Sequence, residues 1–214
     1  MLHDSRLKAA AELCRRGVVV ADVGTDHALL ACYLAMNGAK AVYASDVRDG
    51  PLEAARRTVA ECGAKNVTVL KSDGLREIPF ADDVVICGMG GELIARIVTE
   101  CTFTNENTRF ILQPMTKADA LRRSLYENGF EIDEERTARS AGRSYVVMLA
   151  RYTGVRAQID EAFALAGKVT DPDFLRNIAQ KLQKHAQGLE RGGEPDRARE
   201  LRELARSIIE KAEH

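Results

Sequence analysis

Val18-Val19-Val20-Ala21-Asp22-Val23-Gly24-Thr25-Asp26-His27-Ala28 is the stretch on which the reading of this chain turns. The β-branched run points to a buried strand, Asp22 to Ala28 to a turn, and residues 27–36 to a helix. Strand, acidic glycine-bearing turn and helix in succession form the layout of a nucleotide-cofactor loop. Gly24 lets the backbone approach a ligand closely. Asp22 and Asp26 make the turn acidic, where a phosphate-binding loop presents bare amides to its anion. Such a turn repels a diphosphate and accepts a cationic ligand.

Working outward, short β-branched runs at 18–23, 41–45, 67–70, 84–87 and 110–112 read as strands. The helical patterns between and after them lie at 27–36, 51–62, 92–101 and 118–128, and a lead-in helix is expected within 4–16. Five buried-type strands separated by helices imply a parallel sheet. After Gly129 the rhythm changes. Residues 130–139 and 143–152 flank Ser140-Ala141-Gly142 and read as an antiparallel hairpin closing the sheet. From Val155 onward the pattern is helical only. Val155, Ile159, Ala162, Phe163 and Ala166 are expected on one helix face, and Asp171-Pro172 opens a second helix. Narrow apolar stripes run on either side of Gly192-Gly193-Glu194-Pro195, the pattern of an antiparallel coiled-coil hairpin. The expected domains are 1–153 and 154–214.

Composition narrows the class. The 214 residues are 45% hydrophobic and 29% charged, with net charge -1, so one full core plus a small second unit is affordable and no global basic footprint marks a nucleic-acid binder. The five cysteines (Cys14, Cys32, Cys62, Cys87, Cys101) show no short paired spacing, so no zinc site or disulfide framework is expected. The first residues lack the apolar core of a signal peptide, and a cytoplasmic location is expected.

Chemistry-bearing residues gather at the expected strand ends. Asp46 follows the loop glycine by 22 positions, where an acid accepts both hydrogen bonds of a ribose diol. Nicotinamide dinucleotides and S-adenosylmethionine both offer that ribose. The first loop lacks the three glycines that admit a pyrophosphate, which favours the sulfonium cofactor. Asp26 is also a candidate cap of the following helix. Lys71-Ser72-Asp73-Gly74 ends the third strand, so Asp22, Asp46 and Asp73 are expected to converge, Asp73 accepting from the adenine amine. Cys87-Gly88-Met89-Gly90-Gly91 ends the fourth strand and leaves room for two ligands to meet.

Asp22-Val-Gly-Thr-Asp-His-Ala, Ser45-Asp46-Val-Arg-Asp-Gly-Pro-Leu, Ser72-Asp73-Gly-Leu, Ile86-Cys-Gly-Met-Gly-Gly-Glu-Leu-Ile and Leu112-Gln-Pro together resemble the bacterial tRNA adenine-22 N1-methyltransferases. The resemblance runs through about the first 150 residues, and the helical tail is similar too. It implies a class I methyltransferase with a Rossmann-like α/β sheet, a terminal antiparallel hairpin and an α-helical coiled-coil C-terminal domain. The implied activity is S-adenosylmethionine-dependent methylation of adenine N1 in tRNA. The cofactor set is Asp22, Gly24, Thr25, Asp26, His27, Asp46, Val47, Ser72, Asp73, Gly74, Gly88 and Gly90; the catalytic set is His27, Met89, Gln113 and Pro114; no metal is expected. Two positions depart from the family pattern. Leu29 stands where many members have an aromatic residue, and Met115 where many have Asn. Tyr33, one turn from Leu29, is a candidate substitute. Another nucleic-acid or small-molecule substrate, or an idle cofactor-binding protein whose coiled coil recruits partners, are the competing readings.

For tRNA, Arg122 and Arg123 on one helix and Arg136, Arg139 and Arg143 around the hairpin are the expected phosphate-facing rim. The C-terminal hairpin is either an RNA arm or an oligomerisation element. Its twelve basic and eleven acidic side chains between Arg151 and Glu213 do not decide. Arg6 either covers the cofactor's edge or pairs within the core.

Overall fold

The computed structural model describes residues 2–213. They divide into two compact units, one ending at Ala157 and one beginning at Gln158.

The first unit is a seven-stranded sheet in the order β3-β2-β1-β4-β5-β7-β6. Its strands are β1 (Val19–Val23), β2 (Ala41–Asp46), β3 (Val67–Lys71), β4 (Asp83–Gly90), β5 (Arg109–Thr116), β6 (Phe130–Ser140) and β7 (Arg143–Tyr152). β1 to β5 run parallel, while β7 lies antiparallel between β5 and β6. This is the Rossmann-like sheet with its closing hairpin. The helices are α1 (Ser5–Leu13), α2 (Leu29–Met36), α3 (Asp49–Cys62), α4 (Gly91–Thr99) and α5 (Ala118–Glu127).

Strand side chains alternate between two cores. Val20, Val42, Val85, Ile111 and Val147 face α1, α2 and α3 through Ala10, Leu34 and Ala55, all buried. Phe110, Leu112 and Ile86 are fully buried as well, as are Ile94 of α4 and Leu121 and Leu125 of α5. With both faces covered, the central strands are near-continuously apolar. Polar residues are therefore confined to strand ends, where the site is built. Asp4 caps α1 by accepting the Arg6 N–H at 2.9 Å.

Three local expectations change. The helix after β1 starts at Leu29 instead of residue 27, because Asp26 (φ 50) and Ala28 (φ 55) adopt left-handed conformations that no helix accommodates. β4 continues through Gly88 and Met89, with register shifts against β5 that bend its end. The hairpin turn is the two-residue Ala141-Gly142, both at positive φ, the geometry that matches strand twist.

In the second unit, α6 (Glu161–Ala166), α7 (Pro172–Arg191) and α8 (Pro195–Glu213) follow one another. The helix expected to include Val155 and Ile159 begins only at Glu161, where Asp160 accepts the Phe163 N–H at 2.7 Å and Val155 is left exposed. α7 and α8 pack as a hairpin, turning at Gly192-Gly193-Glu194. Leu175, Ala179 and Ala186 on one helix and Ala198, Ala205 and Ile208 on the other are buried, a seam of four-, seven- and three-residue steps. Arg202 and Glu190 bridge the two helices near the turn. Among the described residues, no helix is long and apolar enough to cross a membrane.

Candidate active site at the carboxyl ends of β1 to β5

The parallel strands deliver their carboxyl ends to one edge, and the loop after β1 forms the centre of it. Gly24 at φ +74 turns the chain, and the Gly24 and Thr25 N–H groups both donate to the Ser45 carbonyl at 2.8 Å. That pair ties the first loop to the end of β2. A Cβ on Gly24 would meet the Met89 methyl group, so the close approach as well as the left-handed backbone requires glycine.

Asp22 is buried beneath the loop. Its carboxylate accepts the Thr25 hydroxyl at 2.7 Å and the Ala31 backbone N–H in the first turn of α2. The capping role expected of Asp26 thus falls to Asp22, while Asp26 is two-thirds exposed. Burial pushes the Asp22 carboxyl up to about 6, with the Thr25 and Ala31 hydrogen bonds opposing the shift. A cation brought against it would lower it again.

Two cavities flank this loop. The first, about 480 Å³, is lined by Asp22, Gly24, Thr25, Asp26, His27, Asp46, Gly88 and Met89, with Asp4, Arg6, Leu29 and Cys87 among its other walls. The second, about 300 Å³, is lined by Asp46, Val47, Ser72, Asp73, Gly74 and Met89, with Leu93, Arg96 and Ile97. Asp46, Gly24, Arg48 and Met89 belong to both. Asp22 and Asp73 face different cavities, so the three aspartates are bridged by Asp46 instead of meeting at a point. Asp46 is buried, and its Oδ1 accepts the Arg48 N–H at 3.0 Å.

The second cavity rests on a tight polar turn. Ser72 Oγ donates to the Gly74 carbonyl at 2.9 Å and accepts the Glu77 N–H at 3.2 Å, which holds Gly74 at φ +64 against Ile97. Asp73 is half-exposed and pairs with Arg96 at 3.1 Å and Arg76 at 3.3 Å. The Arg96 hydrogen bond holds its carboxyl below the usual carboxylate range, aided by the charges of Arg96 and Arg76.

On the β4 and β5 side, Gly88 sits at φ +83, and the place of its missing Cβ has no heavy atom within 4 Å among the described residues. Gln113 is fully buried; its Oε1 accepts the Gly88 N–H at 3.2 Å and its Nε2 donates to the Pro114 carbonyl at 2.9 Å. The same Oε1 takes a donor from Arg6 at 3.4 Å. Arg6 also pairs with Asp4 at 2.5 Å, donates to the Met115 sulfur at 2.7 Å and lies over the Tyr145 ring at 5.1 Å. Burial pushes the Cys87 thiol well above its ordinary value, so it is held protonated.

Several expectations are corrected by this geometry. Gln113 and Pro114, two of the expected catalytic set, are both buried and line neither cavity; Gln113 accepts the Gly88 N–H from behind. Gly90 also lies outside both cavities, at the start of α4, where its Cβ position abuts Thr116. Tyr33 packs on the core under α2 and does not reach the cavities. Arg122 is no part of a rim: it is 1% exposed and pairs at 2.8 Å with Glu135, itself buried. A guanidinium on the inner face of α5 can be accommodated only with such a partner. Arg139 and Arg143 are exposed, and Arg123 and Arg136 half-buried, with Arg136 paired to Glu134 at 2.5 Å.

Arg48 and Arg96 line the cavities without having been singled out in the sequence, and Asp4 joins Arg6 at the first. Arg96 had one legible signal, a basic residue one helix after an acidic strand end; Asp4 arrives from α1 and had none. Among the described residues, no cluster of three or more His, Cys, Asp or Glu side chains is arranged to hold a metal ion.

Comparison with known proteins supplies the family. A methyltransferase domain model matches residues 3–148. The tRNA (adenine(22)-N(1))-methyltransferase of Bacillus subtilis (strain 168) is 34% identical over 198 residues, 86% of this chain and 82% of that protein. The crystal structure of the B. subtilis M1A22 tRNA methyltransferase TrmK superposes with a TM-score of 0.84 at 30% identity, covering 97% of this chain and 99% of that one. Streptococcus pneumoniae Sp1610 in complex with S-adenosyl-L-methionine gives a TM-score of 0.80 at 28% identity, over 97% of this chain and 100% of that one. A strand-end site of this geometry on a matching methyltransferase domain, with similarity along nearly the whole length, places the chain in the tRNA (adenine(22)-N(1))-methyltransferase family.

Proposed function

We propose that this protein transfers the methyl group of S-adenosylmethionine to N1 of adenine 22 in tRNA. The observation that carries the reading is the pair of buried carboxylates, Asp22 and Asp46, lining the same cavity as Gly88, whose missing side chain leaves open space. That donor set fits the cofactor. Acidic walls suit a sulfonium and an ammonium, and the open cradle at Gly88 admits a ligand against the backbone.

Within the site, Asp46 would accept the ribose hydroxyls, and Asp22, Thr25, Asp26 and His27 would line the amino-acid portion. Val47, Ser72, Asp73 and Gly74 would border the adenine ring. The bound cofactor supplies an electrophilic methyl group. Adenine N1 carries its own lone pair, so no residue has to generate a nucleophile. What the chain contributes is alignment of N1 with the methyl carbon and exclusion of water. The methylated base would carry a positive charge, which the carboxylates lining the first cavity would stabilise. Met89 and His27 border the space where the two ligands would meet. Leu29, 56% exposed at the mouth, offers an apolar face to the base in place of an aromatic one.

The reading extends to the whole chain. Residues 1–153 form the methyltransferase domain and 154–214 a helical domain, with α7 and α8 as an antiparallel coiled coil. Arg123, Arg136, Arg139, Arg143 and the hairpin are the surfaces offered to tRNA, in the cytoplasm. The test is methyl incorporation into unmodified bacterial tRNA with adenine 22 and into the same tRNA with guanine there. Incorporation only into the first is expected. Incorporation into neither sinks the reading, and incorporation into both reassigns the target base.

A further inference from the structure

The near-neutral charge of the C-terminal hairpin hides an asymmetry between its two helices. Opposite its buried seam, α7 exposes the ridge Asn177, Lys181, Lys184, Gly188 and Arg191, at steps of four, three, four and three residues. Between Asp173 and Glu190 the helix contains no acidic residue, while Arg176, Lys181, Lys184 and His185 all lie there. Among the described residues, Lys181, Lys184 and Arg191 have no ion-pair partner. The matching ridge of α8 is Asp196, Arg199, Glu203, Arg206 and Glu210, also exposed, where acids outnumber bases and Arg199 is tied to Asp196 at 3.4 Å.

We infer that the outer ridge of α7 is the face by which the hairpin grips an RNA backbone, and that α8 points its mixed-charge face elsewhere. The inference rests on the tRNA reading above. A solvated helix normally intersperses charges of both signs, as α8 does; an acid-free ridge repels itself unless a polyanion lies along it. The cations recur along one line, with Lys184 and Arg191 about 10.5 Å apart at 1.5 Å per residue, a spacing that a phosphodiester strand can meet with alternate phosphates. Gly188 lowers the ridge between them so that a backbone can approach, and Asn177 and the neighbouring Gln180, Gln183 and Gln187 add neutral hydrogen-bonding groups that carry no repulsion for phosphate. A second protein chain would be better met by the apolar anchors that this ridge lacks.

The test measures affinity of the full chain for an unmodified bacterial tRNA transcript across a salt series, comparing wild type with the triple variant Lys181→Gln, Lys184→Gln, Arg191→Gln and with Arg199→Gln, Arg206→Gln on α8. The α7 variant should bind at least about tenfold more weakly at low salt, and its slope of log affinity against log salt should fall by about 2 to 3. The α8 variant should keep the wild-type slope, and both should keep wild-type affinity for S-adenosylhomocysteine. An unchanged slope in the α7 variant while wild type binds tRNA overturns the ridge assignment alone. So does a change in sedimentation mass with unchanged tRNA binding, which would make the ridge a contact between copies. Absence of tRNA binding by wild type overturns the ridge and the tRNA reading together.

Discussion

Asp22 near the end of β1 and Asp73 just past β3 stand at the same edge of the parallel sheet, with β2 between them, yet their surroundings push them in opposite directions. Asp22 lies under a loop, sheltered from water and shared between Thr25 and the first turn of α2, and its carboxyl rises to about 6. Asp73 stands in solvent between Arg96 and Arg76, and its carboxyl falls below the usual range. One strand-end aspartate is strained toward neutrality and gains from a bound cation, while the other is already satisfied. Asp46, buried but reached from both cavities, connects the two.

The largest effect should come from that connection. Asp46→Ala would remove the two charge-assisted hydrogen bonds proposed to a ribose, and affinity for S-adenosylhomocysteine should fall on the order of a hundredfold by calorimetry. Unchanged affinity would refute the ribose role and separate the two cavities functionally.

Next is the ionisation of Asp22. Because its folded carboxyl titrates near 6 against 3.8 unfolded, its contribution to stability is full below about pH 4 and lost as pH rises through about 6. Wild type should lose about 3 kcal/mol over that window, and Asp22→Asn should not, as read by denaturant unfolding at several pH values. Parallel profiles for the two proteins would break the contrast with Asp73.

Gly24→Ala should cost about 1–2 kcal/mol from the left-handed backbone, plus the collision with Met89. Adding Met89→Ala should recover only the second part, so full recovery in the double variant would show that the loop tolerates a side chain.

The smallest effect is expected at Asp73. Asp73→Asn should leave the thermal midpoint at neutral pH within experimental error, since exposed ion pairs contribute little, while KM for the cofactor rises. A clear loss of stability would mean that the Arg96 and Arg76 pairs hold the fold.

The aspartates themselves were legible because strand ends in a parallel α/β sheet are where polar residues can stand, and Asp22, Asp46 and Asp73 each follow an apolar run. Gly24 and Gly88 were legible because a glycine just past such a run marks backbone that a side chain would obstruct. Arg122 was misread for a related reason: its charge says surface, and only Glu135, brought from β6 to the inner face of α5, makes its burial possible. Asp4 carried no signal, since its place at the first cavity depends on where α1 docks.

Local patterning, then, was enough for the order of strands and helices, the glycine-bearing loops, the aspartates and the family resemblance, because each is written in a few contiguous residues. Which aspartate is buried, that Gln113 supports Gly88 from behind, that Asp22 and not Asp26 serves α2, and that the Lys181, Lys184 and Arg191 side of α7 faces away from its partner helix depended on packing. Those properties arise from distances between residues far apart in the chain, and periodicity along the chain does not encode them.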